Sequence, residues 1–402
     1  MLITPSLLHV KTHTGRGRQE PAARLRPQGA AEGYGLDGMT AESVLERLDA
    51  PAVARGPEAT EWQCTRDDHA AMADAGEWDD LLDVLRFADQ DRTMASGGYR
   101  VAPLISEGIR ARLFAALDAG NFTAAEAELA RFNAVQAMHP EDYAAAHLLA
   151  QALIDIGAAK QGHADRADTP IKQLDEAAAH FSAAESLLFQ FDPIEEMSPL
   201  LAATRYHLAR WIDDGRDLFR DWYEDWVDLD PEDAIIHATH AVNMLPDAFG
   251  SVAGFEKAAR KACSLTGSNT GKAAYAIFHL TAIERLGAPL PSIDIALFVQ
   301  GLGDFQTATG CQHRANVAAN VLTELLHDYR LAGPVAAYPL TKVRAALSDV
   351  LWTRLHEIHL ESWEHGADSL ALALGEVFGP ALQRGARITR KGEGLGTRVP
   401  RA

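Results

Sequence analysis

Cysteine is scarce in this chain of 402 residues, which contains only Cys64, Cys263 and Cys311. The three are far apart, odd in number and never arranged as Cys-x-x-Cys. The sequence therefore indicates neither a disulfide framework nor a thiolate metal motif. Because scattered, unpaired cysteines are typical of a reducing compartment, we expect a cytoplasmic protein.

Long apolar runs are also missing. No run of about 18 apolar residues occurs, so we expect no helix that crosses a membrane and no membrane partner. Residues 1–10 lack the basic flank and the small-residue cleavage site of a secretory signal.

Positive charge is in deficit, with 37 Lys and Arg against 56 Asp and Glu and a net charge of −19. Residues 1–38 carry +2 and residues 384–402 carry +5, which leaves −26 on the part between them. An acidic body repels phosphate, so we expect no nucleic acid to bind there. The basic tail at 384–402 is interpreted as a disordered end, with contact to nucleic acid or an acidic partner as the alternative.

The residues that are abundant favour helices, because Ala and Leu lose little entropy in a helix and β-branched residues lose more. Residues 1–38 are rich in Gly, Pro, Arg and Gln, and we expect them to be disordered. Thr40 is a candidate N-cap of a helix through Leu48, so the sequence leaves open whether Met1 or Met39 is the true start.

Apolar periodicity places helices along the rest of the chain. Ile105, Ile109 and Leu113 recur every four residues, which puts them on one helical face. Gly157 is expected to end a helix that begins at Tyr143. A further helix is expected to extend from 340 to 365.

A short pattern of glycine, a polar residue, an aromatic and then a small or apolar residue recurs at 76–81, 120–125 and 303–308. Glycine supplies the left-handed turn that ends one helix, and the aromatic packs between that helix and the next. This pattern resembles the turn inside a degenerate tetratricopeptide (TPR) repeat, although the glycine spacing departs from a strict 34-residue period.

Segments 139–147, 154–157 and 244–251 also resemble landmarks of an uncharacterised bacterial domain-of-unknown-function family of TPR-like type. The resemblance implies an all-α, TPR-like α-solenoid of stacked antiparallel helix pairs, and it implies no activity or cofactor. We expect five segments: a disordered 1–38, a helical region 39–98, TPR-like repeats 99–265, a helical region 266–383 and the basic tail 384–402.

The first helices of TPR-like pairs line a concave groove. Counting back from the turn glycines assigns eight positions to this groove: Glu107, Arg110, Phe114, His147, Gln151, Asp155, Arg205 and Asp213. Arg110 and Arg205 fall at equivalent places and are candidates to pair with carboxylates of a ligand. The leading interpretation is a non-catalytic scaffold or adaptor for a protein or peptide, and no cofactor is expected.

Two other functions remain open. The segment 355–365 is rich in metal-ligating side chains, and on a helix His356 and His359 would lie one turn apart, with His365 or Glu361 as a third ligand. That arrangement suits a helical enzyme with a histidine or metal site, although the motif His-Glu-x-x-His is absent. The third possibility is a structural subunit of an oligomer.

Overall fold

The computed structural model describes residues 38–162, 170–212 and 214–399, and within these ranges the chain is mainly helical. The expectation of a helical protein is confirmed, and strands are few and short. In the described ranges, no helix is long and apolar enough to span a bilayer. Residues 1–37, where a disordered tail was predicted, lie outside these ranges.

The helices are, in chain order, α1 (Ala41–Leu45), α2 (Pro57–Ala75), α3 (Trp78–Gln90), α4 (Val101–Ile109), α5 (Ala111–Asp118), α6 (Phe122–Met138), α7 (Tyr143–Gln161), α8 (Ile171–Leu188), α9 (Pro199–Leu208), α10 (Gly215–Leu229), α11 (Ala234–Asn243), α12 (Val252–Thr270), α13 (Ala273–Leu286), α14 (Ile295–Thr307), α15 (Gln312–Leu331), α16 (Ala337–Thr353) and α17 (Ala367–Gln383). The strands are β1 (Ala52–Val53), β2 (Met94–Ala95), β3 (Tyr99–Arg100), β4 (Ile358–His359), β5 (Arg387–Lys391) and β6 (Gly394–Arg398).

The chain divides into two units, each with its own core. The first unit is Glu61–Asn243, and the second joins residues 38–60 to residues 244–399. The division falls within α2, so its residues 57–60 belong to the second unit. The predicted segment boundaries at 98/99 and 265/266 do not coincide with this division.

Helix α7 is the centre of the first unit. Its residues 143–158 are all buried, because α3, α5, α6, α8 and α9 pack around it. Gly157 was predicted to end this helix, but α7 continues to Gln161. A Cβ at Gly157 would lie 2.6 Å from Cε1 of Phe181, so glycine is needed there for close packing with α8.

Two of the three predicted turn glycines are confirmed. Gly76 and Gly120 have φ of +79° and +66° and precede α3 and α6. The prediction for the third pattern is wrong, since Gly303 lies inside α14. The residues before and after Gly303 continue the apolar helical period, which outweighs the cost of one glycine.

The second unit is closed by segments from both of its chain pieces. Strand β1 pairs in parallel with β4, with Ala52 opposite Ile358, and α1 packs on α17. Thr40 caps α1 as predicted, although this helix ends at Leu45 rather than Leu48.

The predicted disorder of the basic tail is wrong for its described part. Strands β5 and β6 form an antiparallel hairpin that turns at Gly392, where φ is +65°. Ile388 and Leu395 are fully buried beneath this hairpin. The basic side chains Arg390, Lys391 and Arg398 of the same strands are exposed.

Candidate functional site

A buried polar network occupies the interior of the first unit. Ser106 on α4 and Thr204 on α9 both hydrogen-bond to His147 on α7, each at 2.7 Å from a ring nitrogen. Burial lowers the pKa of His147 well below its usual value, so the ring is neutral near pH 7. The two hydroxyls satisfy both ring nitrogens, which joins three helices at one point.

A second part of this network carries charge. Arg110, at the junction of α4 and α5, forms an ion pair with Asp155 on α7. Gln151 donates to the other oxygen of Asp155 at 3.2 Å and is 3.3 Å from the ring of His207. Burial raises the pKa of Asp155, an effect that the Arg110 guanidinium opposes.

These contacts correct the groove prediction for Arg110, His147, Gln151 and Asp155. The four side chains do lie together, but each is at most 6% exposed, and they do not line an open surface. Helix α3 packs on α7 and α9, and α4 reaches α7 through the bond from Ser106. The chain's own helices therefore cover the face that was predicted to receive a ligand.

The remaining groove residues lie apart from this network or at its edge. Glu107 pairs with Arg66 at 2.6 Å, and Phe114 stacks under the Arg110 guanidinium at 4.8 Å. Arg205 donates to backbone carbonyl groups at the end of α8, so it does not offer a free guanidinium to a carboxylate. Asp213 lies outside the described residues.

Asp89 is a buried carboxylate on α3 that the sequence analysis missed. It accepts hydrogen bonds from Tyr143 Oη at 3.1 Å, from the Leu200 backbone N–H at 2.9 Å and from the Ser198 hydroxyl. Burial raises its pKa to about 6 despite these donors. Asp89 lies on the same buried face of α3 as Leu82 and Leu85. A carboxylate at a position of this apolar period is the sequence feature that could have identified it.

A small cavity of about 30 Å³ borders Asp89. Arg100 and Asp230 line it and form a bidentate ion pair with distances of 2.7 and 2.6 Å. The volume suffices for water but not for an organic substrate. This cavity therefore gives no support to a catalytic site.

Two non-glycine residues with left-handed backbones lie next to this centre. Arg92 has φ +52° and donates to the Leu229 carbonyl at 2.6 Å, and Met197 has φ +51° directly before Ser198. Such conformations cost about 1–3 kcal/mol and persist only where surrounding contacts impose them. The hydrogen bond from Arg92 to the Leu229 carbonyl and the one from Ser198, next to Met197, to Asp89 are contacts of this kind.

The segments that Asp89 joins carry large exposed apolar side chains. Gln90 donates to the Glu196 carbonyl at 3.1 Å, which ties the end of α3 to the turn before α9. Phe87, Phe189, Ile194 and Met197 on these segments are 69%, 59%, 50% and 56% exposed, and we call them the Phe87 patch. Exposed apolar side chains of this size mark an interaction surface where they adjoin one another.

Acidic side chains surround the same turn. Asp192 caps it by accepting from the Ile194 and Glu195 N–H groups. Burial raises the pKa of Asp225, and the nearby charges of Asp192 and Asp228 raise it further. These carboxylates therefore stand beside the Phe87 patch together with one cation, since the Arg205 guanidinium opposes the rise in the Asp225 pKa and lies 5.7 Å from the Phe189 ring centroid.

The histidine-rich segment of the second unit differs from its prediction. Helix α16 ends at Thr353, so His356 and His359 are not one helical turn apart. His359 is fully buried on β4, where pairing with β1 fixes an extended backbone. His365 instead lies with Glu324 and Glu364, and the ligand atoms of these three are within 4.8 Å of one another.

His237 and His240 have the same spacing as His356 and His359, and they do lie on one helix, α11. Tyr223 Oη is 2.9 Å from the ring of His237, and Tyr206 Oη is 2.6 Å from that of His240. His240 also stacks on Tyr223, with ring centroids 3.9 Å apart. These contacts make the two histidines part of an aromatic core.

Comparison with models of known protein families, with curated proteins and with solved structures found no match for this chain.

Proposed function

We propose that the first unit is a TPR-like helical module that binds a protein or peptide partner through the Phe87 patch, and that it is not a catalyst. The observation that carries this proposal is the exposure of four large apolar side chains on two segments that a buried carboxylate holds together. Hydrogen bonds tie the segments that carry these side chains, and a preformed surface loses less conformational freedom on binding.

The helix contacts support the TPR-like arrangement. Helices α5 to α10 follow one another as successive pairs, and α7 contacts both α5 and α9. In a helical-repeat protein each pair packs in this way on its neighbours. Because α3 packs across α7 and α9, the face used for binding in this proposal is the outer surface of the α3 end and the turn after α8.

Charge selects the kind of partner. The carboxylates Asp192, Glu195 and Asp225 stand beside the Phe87 patch, and the chain as a whole has a net charge of −19. A segment that presents apolar side chains together with Lys or Arg would gain from both features. The partner in this proposal is therefore a basic amphipathic segment of another protein.

The test uses two short synthetic peptides, one of Leu and Lys and one of Leu and Glu, with the same apolar pattern. Fluorescence anisotropy measures their binding to the full chain and to the double variant Phe87→Ser/Met197→Ser. We expect the Lys peptide to bind, and the double variant to weaken this binding by about tenfold or more, since central aromatic anchors dominate interfaces.

Val335→Ser is the matched control, because Val335 is 96% exposed in the second unit and lies outside the Phe87 patch. Its binding should equal that of the unchanged chain. Equal binding of the Glu peptide, or unchanged binding in the double variant, would contradict the proposal.

A further inference from the structure

Helix α16 presents a line of exposed side chains on the second unit. Tyr338 and Trp352 are 60% and 40% exposed, and Ala345, midway between them, is also exposed. Residues seven positions apart lie on nearly the same side of a helix, so these three form one line, which we call the α16 stripe. Val343 and Leu347 on the other side are fully buried, where α16 packs on α14 and α15. The α16 stripe is therefore the outer face of a helix whose inner face already packs in the core.

Two opposite charges lie along one edge of the α16 stripe. Lys342 and Asp349 are both exposed, and seven residues on an α-helix leave them only about 20° apart around its axis. Lys342 lies over its own neighbour Tyr338, with Nζ 5.6 Å from the ring centroid. Asp349 is 3.5 Å from Nε of Arg354 and stays 58% exposed, so it can accept a second cation.

The order of these residues makes the α16 stripe self-complementary when two copies of the helix lie antiparallel. A two-fold axis at Ala345 sets residues equally far before and after it opposite each other. Tyr338 then meets Trp352 of the second copy, and Lys342 meets Asp349 of the second copy, each contact occurring twice. In a parallel pair every residue is level with its own copy, so the two opposite charges would be about 10 Å apart along the axis.

We propose that a second copy of this chain docks on the α16 stripe and forms a symmetric dimer in which two α16 helices pack antiparallel about Ala345. The small side chain of Ala345 at the axis lets the helices approach to about 8–10 Å. The two Tyr338–Trp352 contacts supply buried apolar area and aromatic pairing. The opposite charges fix the direction and the register of the pair.

The local charge permits two copies of an acidic chain to approach at this face. Residues 329–348 contain Arg330, Lys342 and Arg344 and no Asp or Glu, although the whole chain has a net charge of −19. Arg330 and Arg344 both pair with Glu376 on α17. The α16 stripe therefore lies beside a cationic segment, which limits the repulsion between the two copies.

Sedimentation equilibrium of the full chain from about 1 to 300 µM tests the dimer. We expect the average mass to rise from that of one chain toward that of two. The Kd should be micromolar, because one helix face per copy is smaller than a standard interface of about 1,600 Å². Tyr338→Ser should weaken the dimer at least tenfold. A chain that stays monomeric throughout, or that assembles beyond two copies, would overturn the proposal.

Charge reversal tests which residues meet. Lys342→Glu should weaken the dimer by about tenfold, since it sets like charges opposite each other twice. The double variant Lys342→Glu/Asp349→Lys exchanges the two charges and should recover most of that loss. Lys257→Glu is the matched control, because Lys257 is exposed on α12 outside the α16 stripe. No recovery in the double variant, or an equal loss in the control, would contradict the antiparallel register.

Cysteine cross-linking tests the position of the axis. In a chain with the exposed Cys64 changed to Ser, Ala345→Cys should form an intermolecular disulfide under a mild oxidant, since the axis brings both copies of residue 345 within bonding reach. Ala337→Cys is the control on the same helix, because its two copies would be about 24 Å apart along the axis. Cross-linking of both variants, or of neither, would overturn the proposed packing.

Discussion

At the scale of single residues, the first unit depends on charged side chains that are held inside it. Arg110 is 6% exposed and Asp155 is 1% exposed, so each has lost most of its contact with water and forms an ion pair with the other. A buried pair of this kind adds little net stability, but the loss of one partner leaves an uncompensated charge. The pair fixes which faces of α4 and α7 meet.

Removal of one member tests this directly. We expect Arg110→Met to lower the free energy of unfolding by about 3–5 kcal/mol, because Asp155 then stays buried without its partner. The double variant Arg110→Met/Asp155→Leu should recover most of that loss. Urea denaturation measures both, and equal losses in the single and double variants would contradict this account.

Asp89 makes stability depend on pH in a defined direction. Its pKa of about 6 in the folded chain exceeds the usual value near 3.8, so the folded state binds more protons between these values. Stability from this group is therefore present at low pH and lost as the pH rises. The expected loss is about 3 kcal/mol between roughly pH 4 and 7.

Comparison with Asp89→Asn isolates this contribution. Burial lowers the pKa of His147, and lowers that of His207 to about 4, so these rings act in the opposite sense and destabilise the fold on acidification. Both proteins keep these rings, so the comparison removes their contribution. The unfolding free energy of the unchanged chain minus that of Asp89→Asn should decrease as the pH rises. A constant difference across this range would show that Asp89 is not perturbed.

At the scale of elements, two glycines that both lie inside helices have different structural roles. Gly157 lets α8 approach α7, whereas Gly303 in α14 has no atom within 4 Å of a built Cβ. Gly157→Ala is expected to destabilise by about 1–3 kcal/mol through overpacking. Gly303→Ala should stabilise by about 0.5–1 kcal/mol, because alanine favours a helix interior. Thermal denaturation compares the two, and equal shifts would refute the distinction.

Helical class and several boundaries could be predicted because they depend on local signals. Gly76, Gly120 and Thr40 act through their own backbone and side chain, so sequence patterns find them. Tertiary contacts decide the rest. The sequence around Gly157 does not predict its contact with Phe181. The sequence around His359 does not predict that it pairs with a strand residue 306 positions earlier in the chain.

The candidate sites were only partly predictable for the same reason. Counting back from the turn glycines assigned Arg110, His147, Gln151 and Asp155 to one groove, and they do lie together, but in the interior. It could not show that α4, α5 and α9 pack against α7 and bury these side chains, because those contacts join elements that are far apart in sequence. The residues of the Phe87 patch likewise come from segments that are distant in sequence.

At the scale of the whole molecule, the second unit is assembled from two separated pieces of chain. Ile358 N–H donates to the Pro51 carbonyl at 2.9 Å, and Ile388 N–H donates to the Arg47 carbonyl at 2.8 Å. The piece before α2 is therefore part of the core of this unit, not an accessory arm. Its removal should disturb regions that are distant in sequence.

Hydrogen exchange can measure this dependence. Deletion of residues 1–54 should speed exchange at the amides of Ile358 and Ile388, since both lose their acceptors. Deletion of residues 1–38 is the control, because it retains Arg47 and Pro51. Unchanged exchange in the longer deletion would show that these bonds are not needed.

The contact of Gly56 with Glu361 spans 305 residues, and this has a consequence for synthesis on the ribosome. At about 5–20 residues per second, the early segment must wait roughly 15–60 s for the partner that it pairs with. During that interval the middle of the chain can emerge and fold completely. Nascent chains stalled before residue 358 would therefore carry a folded first unit and a strand β1 without its partner β4. The unpaired backbone groups of β1 are a surface that a chaperone can bind.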